Sequence, residues 1–225
     1  MQINFSILYK TLFLVFGAFF LAFSGKAQQV SFELLWEKGT VYFTNGDSVS
    51  GQVTLTLPRD IVSVRQPNGQ LSAFATVNVS GFRVQEEKNT GHFRPKFGPL
   101  EFSRNYQTYM WNHNNDYSNF RSPAFFVVIQ PGPYTLLMRE TKMPASVSMG
   151  RYSHDVPIRT ERILQHFYLA DPKKEISPLR NPRKDLQNLF PKIKDDLVKF
   201  AKSNKLDFDD PIELARIVEY CNRAL

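Results

Sequence analysis

Two Asn-Gly dipeptides, Asn45-Gly46 and Asn68-Gly69, constrain this chain more than any other feature. Asn-Gly is the strongest short hairpin signal. A type I′ turn needs positive φ at both central residues, and Asn and Gly accept it most readily. Each dipeptide sits between runs in which apolar and polar residues alternate. Val41-Tyr42-Phe43 precedes the first and Val49 to Leu57 follows it; Ile61 to Arg65 and Leu71 to Ala75 flank the second. In Val53-Thr54-Leu55-Thr56-Leu57 the valine and leucines take one face and the threonines the other, the pattern of a half-buried strand. Pro58 ends that run because it cannot donate to a ladder. Gly81 reads as a bulge or bend before Phe82-Arg83-Val84. Gly39 to Gln85 is therefore expected to be a β-meander, the scaffold on which later segments pack.

The first 27 residues are set aside from the fold. Lys10 precedes an apolar run, Thr11 to Phe23, and small residues stand at Gly25 and Ala27. This is the pattern of a signal peptide cleaved after Ala27. The run is short for a membrane span; an uncleaved N-terminal anchor is the other reading. No Cys follows the cleavage point, so a lipid-anchor signal is not expected. Cys221 is the single cysteine, so no internal disulfide is available and stability must come from the core. With 42% hydrophobic residues, 20 of them Phe, a packed β-rich core is expected.

Downstream, Ala124-Phe-Phe-Val-Val-Ile129 reads as a buried strand, turned by Pro131-Gly132-Pro133 into a partner from Tyr134 to Arg139. Arg159 to Leu169 resumes strand character. Composition shifts near Asp171, after which helical punctuation takes over. Asn181 and Asp209 or Asp210 are N-cap candidates, each followed by Pro182 or Pro211 at the first helical position. Pro191 opens a helix with Ile193, Leu197, Phe200 and Ala201 at helical spacing. Ile212, Ala215, Val218 and Cys221 or Asn222 line one side of the last. Residues 171–205 hold ten Lys or Arg against five Asp or Glu. That basic helical face is either a solvated surface or one that touches anionic surfaces. No nucleic-acid motif accompanies it, so nucleic acid is not an expected partner.

Asn105 to Phe120 has the composition of a binding segment, with aromatics interleaved with amides. Tyr106, Tyr109, Trp111 and Tyr117 are candidate stacking platforms for sugar rings, with Asn114 and Asp116 as hydrogen-bond partners. The competing reading is a long loop or hairpin whose aromatics tuck into the sheet. Other chemistry is thin. The four histidines, His92, His113, His154 and His166, form no metal-ligand spacing, and no cofactor loop is present, so neither metal nor cofactor is expected. Ser146-Val-Ser148-Met-Gly150 lacks the leading Gly of a nucleophile elbow. His113, Asp116, His154 and Asp155 are the residues from which an unrecognised hydrolase site would be assembled.

Lys38-Gly-Thr-Val-Tyr-Phe-Thr-Asn-Gly-Asp-Ser-Val-Ser-Gly-Gln-Val53 resembles the opening of small exported proteins of Bacteroidota. Phe125 to Val128 with Gly132 and Tyr134 to Leu137 is similar to a second segment of theirs. The ending, Leu189-Phe190-Pro191 through Ile217 to Asn222, is similar to a third. As a group these proteins are functionally uncharacterised. The resemblance implies an envelope or secreted location and supplies no catalytic residues.

The expected fold is α+β: a mainly antiparallel sheet, a meander or roll, over 28–170, then two or three short helices over 171–225. The expected role is an exported binding or interaction protein without enzymatic activity, periplasmic, outer-membrane-associated or secreted. Its partner would be an envelope protein or a glycan. A glycan-binding module built on 105–120 and a hydrolase are the alternatives.

Overall fold

The computed structural model describes residues 31–85, 103–114, 119–143 and 162–225. The expected signal segment lies outside these residues, as do Asp116, Tyr117, His154 and Asp155. The architecture is α+β. Ten strands form one antiparallel sheet: β1 (Phe32–Phe43), β2 (Ser48–Leu57), β3 (Ile61–Arg65), β4 (Leu71–Ala75), β5 (Val79–Gln85), β6 (Arg104–Trp111), β7 (Ser122–Gln130), β8 (Thr135–Met143), β9 (Arg162–Ala170) and β10 (Ile176–Leu179). Their spatial order is β10-β9-β8-β7-β6-β5-β1-β2-β3-β4. Three helices follow: α1 (Pro182–Leu189), α2 (Lys194–Ser203) and α3 (Pro211–Arg223). Among the described residues no helix is long and apolar enough to cross a membrane.

The two Asn-Gly hairpins form where expected, but not as two-residue type I′ turns. Gly46 and Gly69 have φ of +93° and +85°, whereas Asn45 and Asn68 do not enter the positive region. In each loop the glycine N–H donates to the carbonyl three residues earlier, Phe43 or Gln66. The strands then close one residue beyond the glycine, at Phe43–Asp47 and Gln66–Gln70. These are three-residue loops, a tight turn followed by a left-handed glycine. Asn45 Oδ1 accepts from the Asp47 N–H and Asn68 Oδ1 from the Gln70 N–H, each at 3.0 Å, the side-chain-to-backbone turn that Asn favours.

Strand alternation sends neighbouring residues to opposite faces, and the sheet buries both. The larger core takes Trp36, Val53, Leu55, Phe82, Phe125 and Leu136, together with Leu186, Leu197, Leu214 and Ile217 of the helices. The smaller core takes Tyr109, Trp111, Phe126, Leu137 and Tyr168. Helix α3 packs on β7 and β8. Asn181 Oδ1 caps α1 through the Lys184 N–H, and Asp210 Oδ1 caps α3 through the N–H groups of Ile212 and Glu213. Pro191 begins a 3-10 turn, 191–193, that leads into α2. The short strand β10 lies beyond Asp171, in the segment expected to be helical, and pairs antiparallel with β9.

Candidate functional site

Strands β7 and β8 are paired along only part of their length. The register runs Gln130–Leu136, Val128–Leu137 and Val127–Met138, then stops. Strand β8 continues against β9 as far as Met143–Arg162, and β7 continues against β6 as far as Ser122–Trp111. The two strands therefore part after Met138. The next residue of β7 with main-chain groups facing the gap is Phe125, which in continued register would meet Glu140.

Side chains take the place of the missing ladder. The Phe125 N–H donates to Asp60 Oδ1 at 3.0 Å. The Phe125 carbonyl accepts from Arg139 Nη1 at 2.7 Å. Arg139 also grips Asp60 with both nitrogens, at 2.8 and 3.1 Å, a fork-to-fork geometry of the stronger kind. Asp60 comes from the β2–β3 turn, where its backbone is left-handed with φ of 54°, a region Asp tolerates better than most residues. One step further along β7, the Pro123 carbonyl accepts from Thr76 Oγ1 at 3.1 Å. Proline suits that position because its ring nitrogen faces the gap and costs no hydrogen bond to β6. The edge that β8 leaves bare is thus covered by the far side of the same sheet.

A cleft of about 280 Å³ opens beside this junction. Phe32, Leu57, Pro58 and Trp111 give it an apolar wall; His113, Asn114, Arg139, Glu140, His166 and Tyr168 give it polar groups. A second cavity of about 380 Å³ adjoins it, sharing Asn114, His166 and Tyr168 and adding Arg180 and Asp209. Trp111 is 8% exposed. Its ring has the Arg139 guanidinium 4.7 Å from its centroid and the His113 imidazole at 4.4 Å. His113 and Asn114 both adopt left-handed backbone, φ 57° and 60°. The turn is held by Asn112 Oδ1, which accepts from the Asn114 N–H.

Burial sets the protonation of the cleft. It lowers the His113 pKa below the ordinary imidazole value; the Arg139 charge lowers it further, and the Asp60 charge opposes both. Burial alone lowers that of His166, whose Nε2 meets Thr141 Oγ1 at 2.8 Å. Both rings stay exposed at the rim of the cleft, so the partial desolvation favours the neutral imidazole rather than fixing it. Burial raises the Tyr168 pKa, partly offset by the hydrogen bond from Asn114 and by the Arg139 and Arg180 charges. Tyr168 is a neutral hydroxyl accepting from Asn114 Nδ2 at 3.2 Å.

The aromatic segment read from sequence is divided by the sheet. Residues 104–111 are strand β6 rather than loop. Tyr106 points into the larger core, stacked on Phe82 with ring centroids 4.3 Å apart. Tyr109 and Trp111 point to the other face, each edge-on to Phe126. Of the six candidate ligand residues, Trp111 and Asn114 line the cleft; Tyr106 and Tyr109 are packing residues, and Asp116 and Tyr117 fall outside the described residues. His113 joins the cleft as well. The sequence reading did not single out Asp60, Arg139, Glu140 or Tyr168. The available signal was Arg139-Glu140 itself, two charges that follow an apolar strand run without a turn. Among the described residues no group of His, Cys, Asp or Glu is placed to hold a metal ion. No protein-family model, curated protein or solved structure matches this chain.

Proposed function

We propose that the protein is an exported binding protein of the cell envelope, and that its ligand occupies the cleft where β8 and β9 leave β7. One observation carries this reading: a cavity with an apolar wall and several converging polar side chains, the composition typical of small-molecule sites, lined mostly by strand residues. The signal-peptide pattern of residues 1–27 supplies the location. Trp36 and Trp111 are the two tryptophans of the chain, and Trp111 is the one lining the cleft. Ligand entry is therefore expected to change indole emission in the wild type. The change disappears in Trp111→Phe while binding persists by calorimetry. A ligand that binds with equal affinity after the cleft is blocked by Pro58→Trp places the site elsewhere and overturns the reading.

A second reading rests on one contact. His113 Nε2 lies 2.5 Å from Ser122 Oγ, and its neutral imidazole has the state of a general base. Among the described residues no carboxylate hydrogen-bonds His113 to orient it. Covalent labelling of Ser122 by a fluorophosphonate, abolished in His113→Ala, favours a hydrolase over a binding protein.

A further inference from the structure

Glu140 and Tyr168 carry hydrogen-bonding capacity that the described residues do not use, and both line the cleft. The Glu140 side chain is 2% exposed and its Oε1 accepts from Arg104 Nη1 at 3.1 Å. Its Oε2 is buried and accepts no hydrogen bond among the described residues. An acceptor in that state bears its full desolvation cost, so native structures rarely keep one without a reason. The Tyr168 oxygen accepts from Asn114, which turns its own proton toward other acceptors, and none is found for it among the described residues. The cleft is thus bordered by one buried acceptor that wants a donor, which a ligand meets once the Glu140 carboxylate turns toward the cavity, and by one hydroxyl donor that wants an acceptor.

A hydroxyl group is both donor and acceptor, and a ligand bearing several satisfies both requirements. The charge balance selects against the alternatives. Glu140 is already paired with Arg104, Asp60 with Arg139, His113 and His166 favour the neutral form, and Lys142 lines the cleft as a further cation, so nothing there favours an amine. The orphan carboxylate oxygen repels an anion. The wall of Phe32, Leu57 and Pro58 matches the C–H face of a sugar ring rather than a small alcohol. The adjoining cavity, which shares Asn114, His166 and Tyr168, continues the site to a second ring.

Resting on the binding reading above, we propose that the cleft takes a neutral saccharide, one hydroxyl of which donates to Glu140 Oε2 while another oxygen accepts from the Tyr168 hydroxyl. The specificity would lie in Glu140 and Tyr168 rather than in a stacking platform on Trp111.

The test is calorimetry of the mature chain against glucose, galactose, mannose, N-acetylglucosamine and their disaccharides, with an acidic peptide, a fatty acid and spermidine as other classes. Two variants accompany it. Glu140→Gln keeps a carbonyl for Arg104 and replaces the free acceptor by a donor. Tyr168→Phe removes one oxygen and leaves the ring packing intact. A saccharide that binds the wild type and is weakened about tenfold or more by each variant supports the proposal, one lost hydrogen bond being worth roughly that factor. If Glu140→Gln does not fold, Tyr168→Phe alone decides. Saccharide binding unchanged in the variants overturns the proposal and leaves the binding reading standing. So does cleft binding by another class with no saccharide bound. Binding by no compound at all overturns both.

Discussion

The two ends of the β7–β8 pair are built from the same strands and solve opposite problems. At the hairpin end, Val127 to Gln130 face Leu136 to Met138, with one register shift between Val128 and Gln130. Helix α3 lies over them, and Leu136, Leu137 and Met138 are fully buried. At the parted end the ladder is gone. In its place stand two buried ion pairs, Asp60–Arg139 and Arg104–Glu140. Apolar burial stabilises without direction and tolerates adjustment. A buried ion pair stabilises only while every member is present, because its desolvation is offset by one specific partner. The hairpin end is therefore a core, and the parted end is a latch that holds a cleft open.

The comparison is broken most severely at Asp60. Asp60→Ala leaves the Arg139 guanidinium buried without its counter-charge and the Phe125 N–H without an acceptor. The expected loss is about 3–5 kcal/mol, the range for removing one partner of a buried pair, measured by urea unfolding. A loss below about 1 kcal/mol, the scale of an exposed pair, would mean that the latch carries no load. The double change Asp60→Asn with Arg139→Met removes both charges, and should cost less than Asp60→Ala alone if the unpaired cation is the main penalty.

At the hairpin end the counterpart is Leu136→Ala. It deletes methyl groups from a fully buried site and should cost about 3 kcal/mol through lost transfer energy and the cavity left behind. A smaller effect is expected where α3 is tied to this hairpin. Asn222 Nδ2 donates to the Tyr134 carbonyl at 2.8 Å and its Oδ1 accepts from the Tyr134 N–H at 2.9 Å. Asn222→Ala removes both and should cost about 1–2 kcal/mol in the same unfolding assay. Gly132 makes room for this clasp, since a Cβ there would lie 2.5 Å from Asn222 Nδ2. Gly132→Ala should therefore act through the same contact, and its effect should be largely absent in the Asn222→Ala background.

The contrast also separates what is legible in sequence from what is not. The hairpin end is local. Its strands are joined by Pro131-Gly132-Pro133, and each apolar run is its own signal. The same is true of the Asn-Gly loops and of the caps at Asn181 and Asp210, where the partner lies within a few residues. The parted end is not local. Asp60 and Arg139 are 79 residues apart, and Arg104 and Glu140 are 36 apart. Asp60 meets Arg139 because the sheet brings its β2–β3 turn back onto β7, and Arg104 of β6 meets Glu140 of β8 across the same gap. Alternation within β6 was misleading for a related reason. It shows that Tyr106 and Trp111 lie on opposite faces, but not that both faces are buried, so a strand of packing aromatics has the composition of a recognition loop. The strand β10 was hidden by its length, four residues containing Pro178, which carry no period to detect.

The mildest test is pH, and the histidines among the described residues, His113 and His166, both stand at the parted end. The pKa values of His113 and His166 are lowered in the folded protein. Between those values and the ordinary imidazole value of about 6.5, the unfolded chain binds more protons than the folded one. Stability is therefore at its full value above the unfolded pKa. It falls as pH drops through the lower folded values. For His113 the added proton would stand near the Arg139 charge, with Asp60 as the opposing group. The melting temperature should decline from pH 7.5 to pH 5.5 in the wild type and decline less in a His113→Asn, His166→Asn double variant. Leu136→Ala should shift the whole curve down without changing its slope, because neither His113 nor His166 stands at the hairpin end. An equal slope in wild type and double variant would move the acid sensitivity away from the cleft, and would leave the two ends of β7–β8 alike in their response to protons.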